Sequence, residues 1–219
     1  KRARLGEFVL ESTRQYERWL ALHCALVPGG LRLKHARMAE SPFAFLRGTF
    51  YRWVELWRRH CQDLDRAPQI LAVGDLHVEN FGTWRDAEGR LVWGANDFDE
   101  AHPASYALDL VRLATSALLA AAESRLAVTA AEACDAILDG YRASLRAGGE
   151  PFVLSDRHPW LQRLAAGAAR DPTRFWGAMR QLPRFQGTLP RTVTRALEDS
   201  FPDRGLAYIR RARVAGLGS

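Results

Sequence analysis

Helical periodicity fills this chain on both sides of one short β-prone stretch, and that arrangement leaves few folds open. Apolar residues Leu5, Phe8, Val9, Tyr16, Trp19 and Leu20 recur at mostly helical spacing over residues 3–26. Pro28-Gly29-Gly30 reads as the stop of that helix. Ser41-Pro42 reads as the cap and first turn of a second, which runs through Phe45, Trp53 and Trp57 to about Cys61. The pattern then changes. A β-prone run at 69–73 is followed by runs at 81–84 and 91–95 that flank Asp86-Ala87-Glu88-Gly89 as a hairpin would. Helices resume over 105–123 and after the capping box Thr129-Ala130-Ala131-Glu132, with shorter ones predicted at 158–169, 172–181 and 191–200. The tail near Tyr208, Ile209 and Val214 reads as a strand running into Gly216-Leu217-Gly218-Ser219. The expected class is α+β, mainly α, with a short β-hairpin at its centre.

Charge follows the same division. Residues 1–60 balance at +7, 61–140 at −9 and 141–219 at +8. A nucleic-acid reader would carry its basic stripe over its functional loops, so nucleic acid is not the expected partner. An acidic centre suits a divalent cation. Basic flanks suit a polyanion such as a nucleotide, or are solvated arginine faces. Only Lys1 and Lys34 are lysines. No apolar run is long enough to span a membrane, and residues 1–10 lack the apolar core of a signal peptide. Cys24, Cys61 and Cys134 show no metal-ligand spacing and read as buried thiols of a reduced, cytoplasmic chain.

The chemistry concentrates in Gly74-Asp75-Leu76-His77-Val78-Glu79-Asn80 and, past the hairpin, Asn96-Asp97-Phe98-Asp99-Glu100. Phosphoryl transfer needs a carboxylate to take the proton of the attacking hydroxyl. It also needs hard oxygen ligands for the Mg²⁺ that bridges nucleotide phosphates. An Asp, an Asn five residues on, and an Asp at the end of a hairpin fit those roles. Asp75 is the candidate base and Asn80 and Asp97 are candidate metal ligands, with Asp99 a second ligand or an acceptor behind the first. Arg47 reaches a phosphate, braces the acidic loop, or is an exposed helix arginine.

The loop resembles the catalytic loop of aminoglycoside phosphotransferases and choline kinases, and Asp97-Phe98-Asp99 resembles their metal-binding strand end. More closely, the chain is similar to a bacterial family, domain of unknown function 2252. The likeness rests on the segment from Ser41 to Gly48, on Gly74 to Gly82 and on Asn96 to Glu100, and covers roughly residues 32–122. The resemblance implies the helical catalytic lobe of a protein-kinase-like fold, with ATP and Mg²⁺ as cofactors. Its partners would be a nucleotide and an unidentified hydroxyl-bearing substrate. It also implies that Asp109 braces the catalytic loop and that His77 holds it by hydrogen bonds. The resemblance further implies a circular permutation, with the glycine-rich and lysine-bearing strands after the loop. On that reading Gly216, Gly218 and Ser219 begin a nucleotide-binding turn, the phosphate lysine lies past Ser219, and the chain is one lobe of a longer protein. The expected organisation is N-terminal helices at 1–68, a catalytic and metal-binding core at 69–122, a helical region at 123–205 and the start of the nucleotide lobe at 206–219. Two rivals share these residues: a pseudokinase-like module that binds nucleotide or partner without turnover, and a Mg²⁺-dependent phosphate hydrolase.

Overall fold

The computed structural model describes residues 2–26, 28–167, 171–201 and 209–211. They fall into two compact units, one ending at Arg157 and one beginning at His158. The class is α+β and mainly helical, with two small antiparallel sheets among the described residues. Among the described residues no helix is long and apolar enough to cross a membrane.

The larger unit opens with α1 (Arg2–His23), α2 (Pro28–Met38), α3 (Pro42–Gly48), α4 (Phe50–His60) and α5 (Gln62–Asp65). Pro28-Gly29-Gly30 starts a helix here rather than only ending one. A proline is tolerated in a first turn, where its missing N–H has no intrahelical acceptor. Ser41 caps α3 by accepting the N–H of Ala44 at 3.1 Å, as the Ser-Pro signal predicts. The single helix expected from 41 to 61 is divided at Thr49, whose hydroxyl turns back to the Phe45 carbonyl at 2.6 Å. The cysteines are free, but Cys24 is exposed and Cys61 and Cys134 are half-buried, so the buried thiols expected from the sequence are not found.

Strand β1 (Gln69–Ala72) pairs antiparallel with β4 (His102–Ser105), from Gln69 opposite Ser105 to Ala72 opposite His102. β4 has no β-prone signature, and Pro103 sits in it because the pair has only two strands and hence two open edges. β2 (Phe81–Arg85) and β3 (Leu91–Ala95) form the expected hairpin, with Phe81 opposite Ala95 and Arg85 opposite Leu91. Asp86 closes its turn, accepting the Arg90 N–H and Nε–H, both at 2.8 Å.

Helix α6 (Tyr106–Glu123) is the centre of the unit. Ala107 and Leu108 on its first turn join Phe50 and Trp57 of α4, Ala72 of β1 and Ala104 of β4 in one core cluster. Helix α7 (Ala130–Arg146) starts at the capping box, with Thr129 and Glu132 bonding each other's backbone as the spacing dictates. α8 (Leu154–Arg157) closes the unit.

In the smaller unit, α9 (Pro159–Ala165), α10 (Pro172–Gln181) and α11 (Arg191–Ser200) have no buried residue. Asp171 caps α10 through the Thr173 N–H at 2.9 Å. The expected tail strand falls almost wholly outside the described residues; a single bridge joins Arg211 to Arg184. Gly216, Gly218 and Ser219 also lie outside the described residues.

Because Leu108 fills the junction of α4, β1 and β4, truncating it leaves a void that the short strands cannot close. We expect Leu108→Ala to cost about 2–5 kcal/mol in urea unfolding, against about 1 kcal/mol for the exposed cap variant Thr129→Ala.

Candidate functional site

Gly74 starts the site with a backbone that only glycine adopts easily. Its φ is +85°, and a Cβ there would come within 2.3 Å of the Glu100 carbonyl oxygen. The two motif segments therefore touch at their first and last residues. Beyond Gly74 the chain passes through Asp75 and His77 into a 3₁₀ turn, Val78–Asn80, and enters β2 without a break.

The hairpin register then does the rest. With Phe81 opposite Ala95, Asn80 faces Asn96, whose N–H bonds the Asn80 carbonyl at 3.0 Å. The Asn80 side chain is 4% exposed and spans the gap between the two motifs. Its Nδ2 donates to the carbonyls of Asp75 (3.1 Å) and Asp97 (3.0 Å). Its Oδ1 accepts the N–H of Asp97 at 2.8 Å and, more weakly, that of Asn96 at 3.4 Å. In this structure the Asn80 amide clasps the base loop to the acidic turn.

Helix α6 holds the same loop from behind with three polar side chains on one face. Asp109 accepts the N–H groups of Val73 (2.7 Å) and Gly74 (3.0 Å). Ser116 Oγ accepts the N–H of Val78 at 3.1 Å. Arg112 is fully buried; its Nε donates to Asp75 Oδ1 at 2.8 Å, and its Nη2 donates to the same oxygen and to the Leu46 carbonyl at 2.8 Å. Its guanidinium also lies over the rings of Phe50 and Trp53, at 5.1 and 5.2 Å. Burial raises the pKa of Asp75, and the Arg112 charge and hydrogen bonds act against that rise. Asp109 is likewise raised by burial and eased by its two backbone donors.

Among the described residues the His77 side chain makes no hydrogen bond to the loop: its Nε2 stays 3.9 Å from Asp75 Oδ2, too far for a bond, and its Nδ1 has no partner; only its carbonyl contributes, accepting the Asn80 N–H at 2.9 Å. The ring instead packs edge-on against Phe43, 6.1 Å between centroids. Burial, reinforced by the charges of Arg47 and Arg112, pushes its pKa down to about 4, so the imidazole is neutral near pH 7.

These elements enclose a cleft of about 110 Å³ lined by Asp75, His77, Asp97, Asp99 and Glu100 and, opposite in charge, by Lys34 and Arg47. Arg47 is paired with Glu79. Tyr16 and Tyr51 complete the wall, stacked at 4.1 Å, with Lys34 Nζ 5.7 Å from the Tyr16 ring centre. Burial and then the neighbouring Asp97 raise the pKa of Asp99, and burial and then Asp99 raise that of Glu100. Such crowding of carboxylates favours a cation. Among the described residues, however, no group of three or more His, Cys, Asp or Glu is gathered as a metal cage. The donors fit Mg²⁺ in kind, since that ion is ordinarily held by one or two carboxylates together with water and phosphate oxygens.

Sequence reasoning missed three of these side chains. Lys34 sits on the cleft wall, and its rarity in an arginine-rich chain is the available signal. Arg112 and Ser116 could have been found from their spacing to Asp109, which puts all three on one helical face.

A family profile described as "Uncharacterized protein conserved in bacteria (DUF2252)" matches residues 26–172, which contain every cleft residue except Tyr16. The chain belongs to the DUF2252 family. No curated protein and no solved structure matched the sequence. In this DUF2252 chain the matched region runs from α2 past the end of α8, so the clasp, the α6 stripe and the acidic turn are all parts of the family domain.

Neutral, buried His77 makes stability depend on pH. Its pKa is lower folded than unfolded, so its contribution is complete above about pH 6.5 and is lost as pH falls toward about 4, where only the unfolded state has taken the proton. We expect the stability gap between wild type and His77→Gln to change by about 3 kcal/mol, in favour of the variant, between pH 6.5 and pH 4 in urea titrations. Comparing the two proteins removes Asp75 and Asp109, whose raised pKa values act in the opposite sense.

Proposed function

We propose that this cleft is the phosphoryl-transfer site of a kinase-like phosphotransferase that moves a nucleotide phosphate to a hydroxyl acceptor. The observation that carries the reading is the Asn80 clasp, which fixes the carboxylates of Asp75 and Asp97 on one cleft through backbone bonds at both ends. The same geometry supports assigning the helical unit to the catalytic lobe of a protein-kinase-like fold.

Asp75 is the base. Arg112 occupies Oδ1, which turns the carboxylate one way and favours its ionised form against the burial that raises its pKa; Oδ2 would take the proton as the acceptor oxygen attacks phosphorus and the nucleoside diphosphate leaves. Neutral His77 beside Oδ2 adds no charge that would weaken it as a base. Asp97 and Asp99 would hold Mg²⁺, which would neutralise charge on the phosphate oxygens. Lys34 and Arg47 face the same phosphate from the basic side of the cleft. About 110 Å³ is small beside the roughly 300–1,000 Å³ of pockets that enclose a whole small ligand, so a nucleoside would project beyond these walls. One observation favours a rival: the commitment of Asn80 Oδ1 to backbone donors suits a module that binds without turnover.

The test separates base from ligand. Nucleotide consumption is measured with Mg²⁺–ATP and a panel of small alcohols, with water as the default acceptor, alongside calorimetric titration of Mg²⁺–ATP. Asp75→Asn keeps an oxygen for Arg112 and is expected to lower turnover about 10²–10⁴-fold with little change in affinity. Asp97→Asn should instead weaken Mg²⁺-dependent binding. Wild-type turnover in Asp75→Asn would leave that residue a loop brace, and transfer to water alone would make the site a hydrolase.

A further inference from the structure

Away from the acidic cleft, a larger cavity of about 560 Å³ is walled by Met38 of α2, Phe45 and Leu46 of α3, Leu56 of α4 and Leu119 of α6. Into this apolar wall α4 sets Arg52, which is 5% exposed. Among the described residues no carboxylate pairs with it, and its Nη1 has no acceptor. Glu40, also at the wall, is exposed and forms no ion pair with it. The guanidinium lies 5.1 Å from the ring centre of Phe8 and 5.9 Å from that of Phe45. An aromatic face recovers only part of what an unpaired ion loses on leaving water. Two further donors that have no acceptor among the described residues, Trp53 Nε1 and Arg112 Nη1, belong to side chains of the same wall.

Arg112 is already neutralised by Asp75, so one uncompensated positive charge remains, and it sits beside apolar surface. The volume falls in the range of sites that enclose a small ligand, about 300–1,000 Å³. A guanidinium fork matches a carboxylate in shape as well as charge. We propose that this cavity binds an amphipathic monoanion, a carboxylate on an unbranched apolar chain, with the head group on Arg52 and the chain against Leu56 and Leu119. The proposal is independent of the phosphotransfer reading.

The probes are decanoate and decanol, which share a chain and differ in charge, each titrated by calorimetry below its aggregation concentration. Decanoate should bind one site at least tenfold more tightly than decanol, and Arg52→Met should bring the two to equal affinity. Equal affinities in the wild type, no binding of decanoate, or a preference that survives in Arg52→Met would each overturn the proposal. If Arg52→Met does not fold, quenching of tryptophan fluorescence by 10-bromodecanoate decides the location. Trp53→Phe should remove the largest share of the quench, and a quench unchanged by that substitution overturns the assignment of the cavity.

Discussion

The grip of α6 on the loop from Val73 to Val78 is the interaction on which the rest of the larger unit depends. A loop that turns its carboxylate toward solvent leaves its own N–H groups facing inward, where water cannot reach them. From one helix, Asp109 and Ser116 accept those N–H groups, and Arg112 between them donates to the Asp75 carboxylate. Leu108, next to Asp109, is meanwhile part of the core with Phe50 and Trp57. Polar and apolar burial therefore meet on a single element.

Charge in this unit is layered. Arg112 is buried and held by Asp75, the Leu46 carbonyl and two aromatic rings, with Nη1 left without an acceptor among the described residues. In front of it the carboxylates of Asp97, Asp99 and Glu100 crowd a shared opening. Removing either partner of the buried pair would strand the other in a medium of low polarizability, which costs far more than the pair itself contributes. The acidic turn, by contrast, faces water.

Much of this was legible in the sequence where a local rule decides the outcome. Thr129 and Glu132 start α7, Ser41 caps α3, and the runs around Asp86–Gly89 make the hairpin, because each depends on neighbours a few residues apart. The misses share a different cause. β4 exists because β1 needs a partner, not because His102-Pro103-Ala104-Ser105 favours a strand. Pro28 could end one helix or begin another, and only the packing of α2 beside the cleft selects the second. Asn80 was legible as a site residue, but its bridge between two backbones was not, because that bridge depends on the register of β2 on β3.

Placing Asp109, Arg112 and Ser116 on the helix that also completes the core has a consequence for exchange with solvent. The amide hydrogens of Val73, Gly74 and Val78 lie in a loop, where rapid exchange is the rule. Here they can be released only when α6 comes away, and α6 cannot leave without opening the cluster around Leu108. The loop thus inherits the protection of the core, and the order of the site becomes a property of global folding rather than of local motion.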